Sequence, residues 1–177
     1  MAMALSAAVA LGLGAGACGE SAPRAEGVSA SREAKAPTGS ASALPSEAES
    51  AAFTAYRAMW ADAVEASRTS DSKHPRLDDH AKEKALWLLQ FMMEEIHKAG
   101  ATSTGGVSVE PRVAKADKSK VELLDCVDGT KWVQVKPNGS PDGLPGGHYR
   151  TEATVVLADG KWTVSDLYWG EAGTCLK

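Results

Sequence analysis

Between residues 46 and 100, apolar residues recur every three or four positions, a spacing that predicts two helices. The first begins at an S-x-x-E capping box, Ser46 and Glu49, in which each side chain can bond the backbone N–H of the other. Its apolar face consists of Phe53, Tyr56, Trp60, Ala63, Val64 and Ser67. The second is predicted to begin around Leu77–Asp79 and to end near Gly100, because glycine favours helix C-termini. Its buried stripe consists of Leu77, Ala81, Ala85, Leu88, Leu89, Met92 and Ile96.

From Thr102 onward, apolar and polar residues alternate, and this period of two predicts β-strands. The predicted strands are short segments at Val107–Val109 and Val113, followed by Val121–Val127, Lys131–Val135, Tyr149–Ala158 and Lys161–Trp169. Asp159-Gly160 stands between the last two, and a D-G pair between alternating runs is a strong hairpin signal. Because the helices precede the strands, the order predicts the α+β class, with two N-terminal helices packed on an antiparallel sheet.

The chain before residue 46 has the pattern of an export signal followed by a tether. Residues 1–17 are apolar or small apart from Ser6, and the run is shorter than the about 20 residues that cross a bilayer core, so it fits a signal peptide. Ala15-Gly16-Ala17-Cys18 resembles a bacterial lipobox, in which the cysteine thiol carries a diacylglycerol. The alternative is an ordinary secretory signal cut nearby, with Cys18 incidental. Residues 19–45 are rich in Ala, Ser, Pro and charges of both signs and have no apolar period, as in a flexible tether.

These features divide the chain into a signal peptide at 1–17, a lipidated cysteine and tether at 18–45, and an α+β domain at 46–177. We therefore expect the protein on the outer face of the cell membrane, held by its N-terminal lipid. The formal net charge of −4 is mild and Lys and Arg are spread along the chain, so we expect no nucleic-acid partner.

The two remaining cysteines are expected to form a disulfide. Cys126 lies within a predicted strand and Cys175 lies just past the last one, and thiols of exported proteins pair in an oxidising compartment. A reactive thiol pair is the alternative, but the C-x-x-C spacing typical of such pairs is missing.

Asp125 is the candidate for acid–base chemistry. It shares a predicted strand face with Val121, Leu123 and Val127, and a carboxylate on an apolar face can act as a general base with a raised pKa. The alternative is a structural carboxylate that bonds a backbone N–H or an arginine such as Arg112 or Arg150. The four histidines, His74, His80, His97 and His148, show no metal-ligand spacing, and we expect neither a metal nor a cofactor.

Aromatic residues are the candidates for the wall of a binding cavity. Tyr56 and Trp60 lie on the apolar face of the first predicted helix, whereas Trp132 and Trp162 lie on or beside predicted strands. Each can line a cavity or pack in the core, because large amphipathic rings serve both purposes.

Several segments resemble those of small actinobacterial lipoproteins and secreted proteins whose domain is similar to nuclear transport factor 2. They are Pro75-Arg76-Leu77, Glu110-Pro111-Arg112-Val113, Leu124-Asp125-Cys126-Val127-Asp128, Gly160-Lys161-Trp162-Thr163-Val164-Ser165-Asp166-Leu167 and Gly173-Thr174-Cys175. The resemblance covers residues 46–177 and implies a cone, in which a curved antiparallel sheet wraps around helices and opens at its wide end. It implies no single activity, because isomerases, dehydratases, cyclases and binding modules share this fold.

The sequence favours a lipid-anchored, non-catalytic module of the cell envelope that binds a small apolar ligand or a protein. One alternative is a lyase or isomerase that uses Asp125 with an aromatic or histidine partner inside the cone. The other is a structural module that forms a homodimer through its sheet. An enzyme requires converging titratable groups in a cavity, and a ligand binder requires a largely apolar cavity. A partner or dimer module requires a filled core and an exposed apolar patch on the sheet.

Overall fold

The computed structural model describes residues 46–139 and 146–175, in which three helices pack on an antiparallel sheet. The predicted signal peptide, Cys18 and the tether lie outside the described residues. The helices are α1 (Glu47–Ser67), α2 (Leu77–His80) and α3 (Glu83–Lys98). The strands are β1 (Thr102–Thr104), β2 (Arg112–Ala116), β3 (Lys120–Asp128), β4 (Val133–Val135), β5 (His148–Ala158) and β6 (Lys161–Ala172). The predicted α+β class is confirmed.

The main sheet has four antiparallel strands in the order β2-β3-β5-β6, and β1 pairs separately with β4. The predicted hairpin between β5 and β6 turns at Asp159 and Gly160, whose φ angles are 51° and 75°, as its two-residue turn requires. Bulges interrupt the β2–β3 and β5–β6 pairings, and bulges bend and twist a strand. The sheet thus presents a curved inner face to the helices.

Helix α1 begins as predicted and lies against the inner face of the sheet. The Glu49 N–H donates to Ser46 Oγ at 3.3 Å and the Ser46 N–H donates to Glu49 Oε2 at 2.7 Å, which completes the capping box. Its buried apolar residues are Ala52, Ala55, Tyr56, Met59, Trp60, Ala63 and Ala66. The small alanines let the helix approach the sheet closely, while the large residues fill the curve. Phe53 and Val64, predicted on the buried face, are only half-buried.

The prediction of one continuous second helix is wrong, because the chain breaks between α2 and α3. Ala81 is extended, with φ −120° and ψ 145°, and forms a parallel bridge with Val164 of β6. The Lys82 N–H donates to the Val164 carbonyl at 2.8 Å, so the sheet takes a backbone group that a helix would have used. After the break, α3 buries Ala85, Leu89 and Ile96 as predicted, but it buries Met93 and leaves the predicted Leu88 and Met92 half-buried.

The strand predictions hold best where pairing is longest. Segments Val121–Val127, Tyr149–Ala158 and Lys161–Trp169 fall within β3, β5 and β6. The predicted strand Lys131–Val135 is shortened to β4. The segment Val107–Val109 contributes one bridge, from Ser108 to Asp128, instead of a strand. No helix among the described residues is long and apolar enough to span a membrane.

The predicted disulfide is present. Cys126 of β3 is bonded to Cys175, 49 residues further along the chain, with their Cα atoms 5.9 Å apart. Cys175 follows the end of β6, so the bond ties the C-terminal segment to a central strand of the sheet.

Replacing Cys126 by serine should lower the free energy of unfolding by about 4 kcal/mol, because the bond removes closure entropy from a long loop of the unfolded chain. Urea denaturation of the oxidised protein measures this difference. Cys175→Ser should cost the same, and the double variant should cost no more than either single one. Equal stability of wild type and Cys126→Ser under oxidising conditions would contradict the prediction.

Candidate functional site

Asp125 faces the helices from the middle of β3, on the strand face predicted from sequence. Val121, Leu123 and Val127 are buried on the same face, and Asp125 itself is 8% exposed. Its Oδ1 accepts a hydrogen bond from the Glu110 N–H at 3.2 Å. The carboxylate therefore has the backbone contact that the structural alternative predicted.

Tyr56 of α1 is the titratable side chain that could act as an acid–base partner of Asp125. The ring is fully buried, and burial together with the nearby charge of Asp125 raises the pKa of its hydroxyl far above the ordinary 10.0. The phenol thus keeps its proton throughout the physiological range. Within the described parts of the chain, the hydroxyl has no hydrogen-bond partner of good geometry.

A cluster of aromatic rings fills the interior beside Tyr56. Trp60 lies at the centre of this cluster, with ring centroids 6.3 Å from Tyr56, 6.3 Å from Trp132 and 4.9 Å from Trp169. Tyr149 stacks on Trp169 at 4.3 Å. These edge-on and offset contacts are the arrangements that aromatic quadrupoles prefer, and they join α1 to the sheet.

The aromatic cluster leaves no room for a ligand beside its two central rings. Atoms that line a cavity large enough for water retain accessible surface, yet Tyr56 is 0% and Trp60 1% exposed. Both had been candidates for a cavity wall, and the structure places them in the packed core. Trp132, a third candidate, belongs to the same cluster, and its Nε1–H donates to Ser67 Oγ at 2.9 Å.

Asp125 borders one groove, which opens beside the disulfide. The groove has a volume of about 450 Å³, and its lining includes Arg112, Arg150 and Thr151 as well as both cysteines. Arg150 Nη2 donates to Glu152 Oε1 at 2.6 Å. Arginine stays protonated in proteins, so the charged groups described in this lining can bind a polar molecule but cannot exchange a proton with Asp125 near neutral pH.

Trp162, the fourth candidate for a cavity wall, lines a groove on the outside of the domain. This groove has a volume of about 830 Å³ and lies where the N-terminus of α1 meets the β2–β3 turn and the β5–β6 hairpin. We call it the Trp162 groove. Its apolar lining consists of Ala48, Ala51, Ala116, Leu157 and Trp162, and its polar lining includes Ser46, Glu47, Glu49, Asp117 and Lys118.

The rim of the Trp162 groove is acidic. Asp117 Oδ1 accepts the backbone N–H groups of Ser119 at 3.0 Å and Lys120 at 2.8 Å, and these bonds lower the pKa of its carboxyl. Glu47 and Glu49 add two carboxylates against the single ammonium of Lys118. The groove thus combines an aromatic wall with a negative rim.

A buried charge cluster escaped the sequence analysis. The Asp62 side chain on α1 is 2% exposed and accepts from Arg76 Nη2 and Nε at 2.8 Å each. His80 Nδ1 lies 2.6 Å from the other carboxylate oxygen. The cluster fixes α2 to α1, a role for His80 that the histidine spacing did not indicate. The available signal was a carboxylate within the buried stripe of α1, three residues after Met59 and four before Ala66.

A second feature missed from sequence is an exposed aromatic pair on α3. Trp87 is 64% and Phe91 47% exposed, and their rings stack with centroids 5.5 Å apart. Among residues 46–139 and 146–175, no group of three or more His, Cys, Asp or Glu side chains could hold a metal ion.

No protein-family model matches the chain, and no curated protein matches it. The intermembrane-space region of chloroplast protein ARC6 is similar at 12% identity and TM-score 0.47, over 73% of this chain and 100% of that one. An uncharacterised protein of cystatin-like fold from Caulobacter vibrioides matches at 13% identity and TM-score 0.46, over 73% and 92%. A variant of the protein Rd1NTF2_05 matches at 12% identity and TM-score 0.41, over 67% and 98%. Similarities this low transfer no activity to the present chain.

Substitution of Tyr56 by phenylalanine should make the free energy of unfolding depend less steeply on pH in alkaline solution. A phenol whose pKa is raised by folding contributes stability that is complete below its ordinary pKa of 10.0 and is lost as the pH rises above it. The free energy of unfolding, measured in urea from about pH 9 to about pH 11, should fall less steeply in Tyr56→Phe than in the wild type.

The wild-type slope is measured beside that of Tyr168→Phe, the matched control, which removes the same hydroxyl at a position 54% exposed. If Tyr56→Phe also kept that slope, the Tyr56 hydroxyl would titrate in solvent, and the interior would be open.

Proposed function

We propose that this protein is a lipid-anchored, extracytoplasmic and non-catalytic binding module that takes its ligand in the Trp162 groove. The observation that carries the proposal is an apolar, aromatic groove on the surface of a domain whose interior is filled. Ligand sites are typically concave and mostly apolar, with volumes of about 300 to 1,000 Å³ and a few polar groups at the margin. The groove at about 830 Å³ falls in this range.

The rim indicates the chemistry of the ligand. Ionised carboxylates beside a tryptophan face favour a cationic group, which gains from both the negative charge and the ring quadrupole. Leu157 and the α1 alanines favour an apolar body next to that group. The ligand class is therefore an amphipathic cation, either a small molecule or a peptide side chain with its neighbours.

The interior supports binding at the surface instead of catalysis within the cone. A lyase or isomerase would need Asp125 and a second titrating group to meet a substrate in one cavity. Tyr56, the nearest candidate, is sealed and holds its proton, and the groove beside Asp125 presents arginines. Neither arrangement supplies an acid–base pair that works near neutral pH.

The proposed anchor sets where the domain acts. If Cys18 carries a diacylglycerol, two acyl chains retain the protein at the membrane. The tether predicted at residues 19–45 would then link the domain to that membrane. The domain samples ligands close to the envelope surface.

Thioflavin T, a cationic aromatic dye, should bind the purified chain and gain fluorescence. Trp162→Ala should weaken this binding by about tenfold, since loss of a desolvated cation–ring contact with its apolar area costs roughly 1–2 kcal/mol. The anionic dye anilinonaphthalene sulfonate should bind less well, because the rim repels it. Trp87→Ala is the matched control, because this tryptophan lies outside the groove. Unchanged thioflavin binding in Trp162→Ala, with a loss in Trp87→Ala, would contradict the proposal.

Cys18→Ala should release the protein from the membrane fraction into the soluble extracytoplasmic fraction, because no thiol remains to be acylated. Fractionation followed by immunoblotting measures the distribution. Cys126→Ser provides the control, since it removes a cysteine without touching the anchor and should stay with the membrane. Retention of Cys18→Ala at the membrane would contradict the lipid anchor and leave the groove proposal standing.

A further inference from the structure

The outer face of α3 carries a regular seam. Lys84, Trp87, Phe91, Glu94 and Lys98 are all exposed and follow one another at spacings of three, four, three and four residues. This is the spacing of the a and d positions in a helix that packs on another helix, and such a row stays on one side of the helix. The opposite face of α3 is the one that packs on the core, through Ala85, Leu89, Met93 and Ile96.

The centre of the seam has the composition of an interface core. Trp87 and Phe91 are 64% and 47% exposed, in a domain whose other large apolar residues are mostly buried. Beside them lies a groove of about 310 Å³ whose lining includes Ser72, Lys73 and Gln90. Aromatic side chains bordered by charged ones are typical of binding hot spots, where the rings are desolvated and the charges form the rim.

The seam is complementary to itself in the antiparallel direction. A two-fold axis midway between Trp87 and Phe91 brings each residue opposite the one at the same distance on the other side. Trp87 then faces Phe91 of a second copy, and Lys84 faces Glu94 of a second copy. Two ring pairs and two ion pairs therefore form at once, as the symmetry of an isologous contact requires.

We propose that two copies of this chain form a homodimer by antiparallel packing of α3 on α3, with Trp87 against Phe91 and Lys84 against Glu94. The present partners of these charges do not prevent this. Lys84 pairs with Asp166 at 3.0 Å with its side chain 81% exposed, and Glu94 pairs with Lys98 at 3.5 Å with its side chain 54% exposed. Exposed ion pairs of this kind contribute little and exchange readily.

The outer face of the sheet fits a second copy less well. It carries the ion pairs Lys120–Glu122 and Arg150–Glu152, so that face-to-face packing would bury charges. A lipid surface also fits the α3 seam poorly, because Glu94 and Glu95 would meet anionic headgroups. A single helix pair buries less than the about 1,200–2,000 Å² of a stable interface, so the dimer is expected to be in equilibrium with monomers.

Cysteine cross-linking in cells that express the full chain tests the register. Chains carrying Lys84→Cys and chains carrying Glu94→Cys are co-expressed with different tags, and disulfide-linked dimers are measured on a non-reducing gel. In the proposed dimer these two positions are adjacent, within the about 7 Å between Cα atoms that a disulfide tolerates. Two copies of position 84 lie about ten helical residues, or ~15 Å, apart and cannot join.

The mixed pair should therefore give the cross-linked heterodimer, and neither variant expressed alone should give a dimer. Adding Trp87→Asp should abolish the product while the chain still folds, because the ring is 64% exposed and stacks only on the exposed Phe91 within its own chain. Lys118→Cys with Glu94→Cys is the control for random collision. Absence of the mixed product, equal products from single variants, or cross-linking only to a different protein or to lipid would overturn the proposal. The outcome does not depend on the Trp162 groove.

Discussion

The packing of Trp60 in the curve of the sheet is the contact on which the rest of the structure depends. Its ring touches Tyr56 on the same helix, Trp132 beside β4 and Trp169 on β6, so one side chain joins three parts of the chain. A bulged antiparallel sheet leaves a concave face that must be filled, and α1 fills it with rings instead of leaving a cavity. Tyr56 and Trp60 are thereby fully buried, and the rings that remain exposed belong to Trp87 and Phe91 on α3 and Tyr168 on β6.

The elements that the sequence predicted correctly are those whose causes lie within a few residues. The Ser46–Glu49 capping box closes within one helical turn, and Asp159-Gly160 forces its turn by backbone conformation alone. The strand face on which Asp125 lies follows from the period of two, because successive side chains of any strand point to opposite faces of the sheet. The Cys126–Cys175 pair is the exception, because its residues are 49 apart; it could be predicted because they are the two cysteines of the folded domain.

The features that the sequence did not reveal have causes far away along the chain. The helix breaks at Ala81 because this residue pairs with Val164 at the edge of the sheet. The sequence gives no sign of the break, because the apolar helical spacing continues through Ala81. Whether the cone is open or filled depends on summed side-chain volumes around Trp60, which periodicity cannot measure. Tyr56 and Trp60 could therefore be placed on the inner face, but not assigned to a wall or a core.

The same rigid frame serves both proposed surfaces. The Trp162 groove is built where three elements meet, and each is held: the capping box fixes the start of α1, and the Leu157 N–H donates to the Ser119 carbonyl at 2.8 Å between the two turns. The α3 seam is carried by a helix whose N-cap residue, Lys82, donates its backbone N–H to the Val164 carbonyl of β6. Binding to a preformed surface loses less conformational entropy than binding that must order a loop, so both sites can act despite modest area. The Trp162 groove and the α3 seam also lie on different elements, so a dimer formed through α3 would leave the Trp162 groove of each copy open.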